Sequence, residues 1–358
     1  MKPTAKLHEL GQSLWLDNIT REMLDSGQLE RYIDELSVSG LTSNPSIFDK
    51  AIKSGAYDSE IQQKAAETAD RERLFFGLAI EDLRRAADLL APIHDRTAGI
   101  DGWVSLEVSP LLAYDTPRSV RAAVDLHARA ERENLFIKIP GTDQGLPAVE
   151  DTIFAGVPVN VTLLFSSEQY LAAADAYMGG IERRIQAGLD PGVASVASVF
   201  MSRWDAAVLD RAPEDLRGQL ALAIGLKTYQ AYRRMMDSDR WQRLANAGAR
   251  VQRLLWASTS TKDPNLSDTL YVEGLSAPHT INTMPESTLL AVDDHGHIGE
   301  PMRADGGDAQ TTLAQFESVG IDIEALGATL QSDGAEKFVQ SWHELMKRID
   351  DQVAALGT

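Results

Sequence analysis

Leu135-Phe136-Ile137-Lys138-Ile139-Pro140-Gly141-Thr142 is a short apolar run with a lysine at its centre and a Pro-Gly turn at its end. Apolar runs this short, closed by turn residues, read as strands buried on both faces. An ammonium without water or a partner is costly to bury, so lysine is rare in such a strand. Burial favours the neutral amine, and a neutral amine in a dry pocket attacks carbonyls. Lys138 is therefore the first candidate for a Schiff-base lysine. The plainer alternative is a lysine at a strand end, ion-paired or reaching for solvent.

Working outward from this run, the same unit repeats. Ser13-Leu-Trp-Leu-Asp17-Asn18 and Gly102-Trp-Val-Ser-Leu-Glu107-Val108 are apolar runs ending in a carboxylate. Ser39-Gly-Leu-Thr-Ser-Asn44-Pro45-Ser46 ends in an Asn-Pro pair, which keeps Asn44 extended, and Ser46 is placed to help start a helix. Further strands fit 157–166 (with Asn160 and Thr162), 193–200 (with Ser198, ahead of Arg203), 253–259 (with Ser258) and 280–285. Helical patterns fit 23–36, 47–66, 72–92, 117–133, 147–155, 168–187 and 216–247, and the tail from 308 to 356 also reads as helical.

Eight short strands, most separated by helices, predict an α/β protein of the (β/α)8 barrel class, with additional helices and a helical C-terminal tail. The expected organisation is one domain over residues 1–358. The barrel spans about 12–300 and the tail about 308–358. Such barrels take ~250 residues, so the excess falls before strand three, between strands six and seven, and after strand eight. An open doubly wound sheet is the competing reading. It is weakened by the lack of a Gly-x-Gly-x-x-Gly after the first strand.

Composition narrows the function classes. The 358 residues carry 34 basic and 53 acidic side chains, a formal charge of −19. That field repels nucleic acid and anionic membranes, and any phosphate site must be a local basic spot. With no cysteine there is no disulfide framework, thiolate nucleophile or thiolate metal site. The first ten residues lack a signal-peptide apolar run, and no stretch approaches the ~20 apolar residues of a membrane span, so a soluble cytoplasmic protein is expected. Asp293-Asp294-His295-Gly296-His297 has metal-like composition but reads as an exposed turn. Trp15, Trp103 and Trp256 read as barrel core.

In a barrel of this class the carboxyl ends of the strands converge on the active site. Those ends bring together two carboxylates, a lysine, two amides, hydroxyls and an arginine. The set suits carbon–carbon bond cleavage and formation through an enamine. The lysine forms an iminium with a ketone, one acid takes the proton of the hydroxyl on the departing carbon, and another manages protons during imine formation.

These stretches resemble the transaldolases of bacterial and plant type. The likeness is carried by Trp-Leu-Asp17-Asn-Ile, Gly-Leu-Thr-Ser-Asn44-Pro-Ser, Val-Ser-Leu-Glu107-Val, Phe-Ile-Lys138-Ile-Pro-Gly-Thr, Asn160-Val-Thr162-Leu-Leu-Phe-Ser, Ser198-x-x-x-x-Arg203 and Leu-Trp-Ala-Ser258-Thr. The resemblance implies transfer of a dihydroxyacetone unit from sedoheptulose 7-phosphate or fructose 6-phosphate to glyceraldehyde 3-phosphate or erythrose 4-phosphate, within the non-oxidative pentose phosphate pathway. It implies Lys138 as Schiff-base lysine, Asp17 as acid/base at the C4 hydroxyl, and Glu107 with Thr162 around a catalytic water. Asn44 and Asn160 would hold the three-carbon unit, and Ser198 and Arg203 the phosphate. Ser258 would line the substrate site. No metal or organic cofactor is implied. Where the better-known branch has a second phosphate arginine, two residues after the strand-seven serine, this chain has Ser260; Lys262, the nearest base, or local backbone amides would substitute. Sugar phosphates are the expected partners, and monomer and homodimer both stay open. A class I aldolase acting on fructose 6-phosphate without an acceptor, and a sugar-phosphate-binding barrel without turnover, are the alternatives.

Overall fold

The structure, a computed structural model, describes residues 2–357; Met1 and Thr358, the two ends of the expected 1–358 domain, lie outside it. Eight strands form a closed parallel barrel in chain order: β1 (Ser13–Leu16), β2 (Val38–Thr42), β3 (Trp103–Glu107), β4 (Leu135–Pro140), β5 (Val159–Leu164), β6 (Ser195–Phe200), β7 (Gln252–Ala257) and β8 (Thr280–Met284). β8 closes onto β1, with Ser13 opposite Ile281 and Leu16 opposite Met284. Every strand residue is buried. Because side chains alternate across a strand, one set faces the surrounding helices and the other fills the barrel. This is the (β/α)8 barrel expected from the sequence.

The barrel interior is packed below the site. Phe136 stacks on Trp103 at a centroid distance of 4.1 Å and lies 6.2 Å from Trp15. The Trp15 indole donates to Asp101 Oδ1 at 2.8 Å, so its buried polar atom is satisfied. Gly40 on β2 makes room for this indole: a Cβ there would lie 2.4 Å from Trp15 Nε1. All three tryptophans read as core are buried.

Helix boundaries follow local capping more closely than periodicity alone suggests. The expected 47–66 helix is two helices, Pro45–Lys53 and Asp58–Glu67, parted where Gly55 takes a φ of +80°. Gly27, at φ +69°, likewise separates Arg21–Asp25 from Gln28–Leu36. The 216–247 region breaks at Ser238, whose hydroxyl accepts from the Trp241 N–H and so starts the Asp239–Asn246 helix behind Leu220–Met236. Conversely, the 72–92 pattern runs as Arg71–Arg96, through Pro92. One lost backbone hydrogen bond is a local cost, and the buried Ile93 beyond it holds the last turn against the barrel.

The tail after β8 consists of Glu286–His295, Ala309–Ser318 and the 33-residue helix Ile323–Ala355. This last helix crosses the mouth of the barrel. Gln331 donates to the carbonyls of Gly141 and Leu163, which follow β4 and lie in β5, and Trp342 packs edge-on to Phe75 and tilted against Phe76. Asp293 pairs with Lys2, and His295 lies exposed between Asp294 and Asp268. The acids in the His-x-His stretch therefore tie helix ends together, and the stretch is the end of a helix more than a turn. Among the described residues no helix is long and apolar enough to cross a membrane.

Candidate active site

Register places the chemistry. Glu107 on β3 pairs with Lys138 on β4, and Lys138 pairs with Asn160 on β5. Alternation turns Ile137 and Ile139 toward the helices and Lys138 into the barrel. The apolar neighbours in the sequence are thus behind the amine, and what faces it is polar. Lys138 Nζ donates to the Ser43 carbonyl at 3.1 Å and lies 3.4 Å from Glu107 Oε2. Lys138 and Glu107 are 5% and 4% exposed, so this pair is cut off from bulk water.

Asp17, one residue past β1, lines the same cleft and accepts from Thr42 Oγ1 at 2.7 Å. Burial raises its pKa above the ordinary carboxylate range, against the opposing pull of the Lys138 charge and the Thr42 hydrogen bond. Burial raises the Glu107 pKa as well; Lys138 opposes this, and the Asp17 charge adds to it. Two carboxyls and one amine therefore share a single electrostatic neighbourhood in which neither acid ionises freely.

Two oxygens near the amine stand out by lacking a protein partner. Glu107 Oε1 and Thr162 Oγ1 are both fully buried and make no hydrogen bond to the chain. Buried oxygens are normally satisfied, so both are available to a small polar molecule. Leu163, the residue after Thr162, adopts φ +59°, and the β5–β6 register shifts between Val161 and Leu164. This bulge aims the Leu163 carbonyl at Gln331 of the tail helix. Ser258, just past β7, is also left-handed at φ +56°, and its hydroxyl lies 3.0 Å from that of Ser202.

Asn160 is fully enclosed. It accepts from Ser198 Oγ at 2.7 Å and donates to Ser105 Oγ at 3.2 Å. Ser198 thus turns toward the amide, and Arg203 stands apart at the start of the Ser202–Val208 helix. The guanidinium of Arg203 packs 5.0 Å over the Phe200 ring, and its Nη1 is buried without a partner. Burial lowers its pKa. Asn44 lines the cleft and also caps the Pro45–Lys53 helix, accepting from the Ile47 N–H at 3.2 Å. Ser46, expected to start this helix, instead donates to Ser341 of the tail. Lys262 reaches Ser260 Oγ at 2.6 Å and lines the cleft.

The cleft has a volume of about 290 Å³. It brings Asp17, Asn44, Lys138, Thr162, Ser198, Arg203, Ser258 and Lys262 to one mouth, with Glu107 and Asn160 buried alongside Lys138. Sequence reasoning missed Lys50, Phe338 and the Ser43 carbonyl, all of which border the cleft or the amine. Lys50 follows Ser46 by four positions and Ile47 by three, so helical spacing puts it on their face. That signal was present in the sequence. Phe338 carries none, because nothing local says that a tail helix returns to the barrel mouth.

Residues 14–349 match the family model described as Transaldolase/Fructose-6-phosphate aldolase. The match runs from β1 into the last turns of the tail helix. A protein of Thermobifida fusca named Transaldolase is 47% identical over 363 residues, covering 99% of both chains. Proteins with the same name from Mycobacterium ulcerans and a Parafrankia strain are each 44% identical, covering 99% and 100% of this chain and 98% and 100% of their own lengths.

Proposed function

The chain belongs to the transaldolase/fructose-6-phosphate aldolase family, and from that premise we propose a cofactor-independent transaldolase that works through a Schiff base on Lys138. The donor is a ketose phosphate, sedoheptulose 7-phosphate or fructose 6-phosphate. The acceptor is an aldose phosphate, glyceraldehyde 3-phosphate or erythrose 4-phosphate. One observation carries the reading: the Lys138 amine sits 3.4 Å from the Glu107 carboxylate inside the barrel, in a cleft whose other wall presents Asp17.

Chemistry follows from that placement. Lys138 Nζ gives up a proton to the Glu107 carboxylate and adds to the ketone carbon, forming a carbinolamine whose hydroxyl takes that proton back to leave as water. Loss of water yields the iminium. A water held between Glu107 Oε1 and Thr162 Oγ1, the two buried oxygens without protein partners, relays these protons. Asp17 then takes the proton from the C4 hydroxyl as the C3–C4 bond breaks. The bond electrons move into the iminium and leave a three-carbon enamine on the lysine. The released aldose departs, a second aldose enters, and the steps run in reverse. The buried Lys138–Glu107 pair keeps bulk water from the enamine while the aldoses exchange.

Asn44 and the remaining N–H of Asn160 hold the hydroxyls of the three-carbon unit. Ser198 fixes the Asn160 amide, since its hydroxyl donates to Oδ1. Arg203 and Lys262, with Ser258 nearby, take the phosphate. We propose that the chain acts as one domain in the cytoplasm, with Lys262 standing in for the arginine that Ser260 replaces.

Borohydride reduction in the presence of fructose 6-phosphate tests the reading. A stable dihydroxyacetone adduct on the peptide carrying Lys138, absent from Lys138→Met, is expected. An adduct on another lysine, or none, would remove the proposed nucleophile. Activity that depends strictly on an added aldose separates transfer from simple cleavage.

A further inference from the structure

Three cations meet at the outer part of the cleft, and none of them has an acid of its own. Among the described residues, no ion pair joins a carboxylate to Arg203, Lys262 or Lys50. Acids outnumber bases in this chain, 53 to 34, and the neighbouring Asp49 is taken by Arg348, leaving Lys50 without it. Arg203 has a buried Nη1 without a partner, and Lys262 is satisfied only by a neutral hydroxyl. Lys50, on the Pro45–Lys53 helix, lines the same cleft as both. Burial first, and then the charges of Arg203 and Lys50, lower the pKa of Lys262.

Lys50 also borders a second cavity, of about 430 Å³, which opens beside the first. The two share Asp17, Ile47, Lys50 and Pro285, so these residues form the partition. The second cavity carries acids: Glu22 and Glu286 line it, and its one arginine, Arg21, is already tied to Asp82 and Glu60. A phosphate dianion is repelled on that side and attracted on the other. Lys50, the one cation on the partition, therefore bears on which branch receives the phosphorylated end.

We propose that Lys50 is a further specificity residue of this site, which joins Arg203 and Lys262 around the phosphate of both donor and acceptor and keeps that end out of the neighbouring acidic cavity. The proposal rests on the transaldolase reading and names the phosphate ligand set within it. A transfer in which the first aldose leaves before the second enters needs only one phosphate subsite, used twice. Removing Lys50 therefore weakens both half-reactions together.

The test compares Lys50→Met and Lys50→Arg with the unaltered full-length chain. KM is measured for fructose 6-phosphate and erythrose 4-phosphate, and for fructose and erythrose without phosphate. Lys50→Met is expected to raise KM for both phosphorylated substrates by about tenfold, with a far smaller change for the phosphate-free pair. Lys50→Arg is expected to restore most of the loss. Calorimetry with inorganic phosphate alone, on the unaltered chain and Lys50→Met, is expected to show a similar loss of affinity. This arm stands even if the chain proves to lack transaldolase activity, so failure of the subsite and failure of the reaction can be told apart. Equal KM changes for phosphorylated and phosphate-free sugars, or unchanged phosphate affinity in Lys50→Met, would overturn the assignment.

Discussion

At the scale of single residues, the site trades stability for chemistry. Asp17 and Glu107 are carboxyls whose pKa burial holds above its ordinary value. Such a group binds its proton more tightly in the folded than in the unfolded chain. Its ionisation therefore costs folding free energy above the folded pKa. That cost fades as pH falls through the folded pKa, and is gone below the unfolded value of about 3.9 for an aspartate. Asp17→Asn keeps the shape and a partner for the Thr42 hydroxyl without the buried charge. It is expected to raise the melting temperature by about 1–3 °C at pH 8, with the gain disappearing toward pH 4. The same variant removes the proposed base at the C4 hydroxyl. Turnover should drop by about 10²–10⁴-fold while borohydride still traps the imine on Lys138. Full activity in Asp17→Asn would show that another group takes the proton.

Lys138 shows both the reach and the limit of reading residues in sequence. Its place in a strand buried on both faces follows from the short apolar run closed by turn residues, and that much was legible. Of its immediate surroundings, the Glu107 carboxylate on neighbouring β3 was expected, whereas the Ser43 carbonyl, one residue past β2, was not. Glu107→Gln would exchange a charged partner for a neutral one in a buried pair. We expect slowed imine formation, seen as a lower trapping rate with fructose 6-phosphate, and C4 proton transfer left to Asp17. A trapping rate equal to that of the unaltered chain would separate Glu107 from imine formation.

At the scale of elements, the strands were legible because each is a short apolar run closed by turn residues. The helices were legible in number of segments only where caps agreed with periodicity. Gly40 shows what a strand adds beyond its pattern. Its missing side chain admits the Trp15 indole into the barrel, and a Cβ would meet that ring at 2.4 to 2.6 Å. Gly40→Ala must displace the indole and its hydrogen bond to Asp101, so a loss of about 2–3 kcal/mol in chemical denaturation is expected. Gly334 plays a similar part in the tail helix. A Cβ there would lie 3.0 Å from both Arg203 Nη1 and Leu163 Cδ2. Helix propensity alone disfavours glycine by about 1 kcal/mol relative to alanine, so its presence inside a 33-residue helix points to a close contact. Gly334→Val is expected to push on the guanidinium and raise KM for phosphorylated substrates several-fold. An unchanged KM would show that Arg203 has room to move.

At the scale of the molecule, the tail helix is the part least foreseen. Its apolar positions, Phe338, Trp342 and Leu345, marked it as packed helix, but only the fold shows that it packs over the site. It spans the barrel mouth from the β4 and β5 ends to the helices after β2. Gln331 holds the Gly141 and Leu163 carbonyls, Phe338 closes one side of the cleft, and Arg348 holds Asp49 beside Lys50. Trp342, 3% exposed, is the apolar anchor between, edge-on to Phe75 at 5.3 Å. If the helix is both cover and clamp, loosening its middle should harm binding as well as stability. Trp342→Ala leaves the cations and acids of the site in the sequence but removes the anchor, at a cost of about 3–5 kcal/mol. The expected result is a lowered melting temperature together with faster hydrogen exchange in Pro45–Lys53 and Ile323–Ala355, and a higher KM at temperatures where the chain is still folded. Hydrogen exchange confined to the tail, with KM unchanged, would mean that the helix buries the barrel's apolar flank without shaping its mouth.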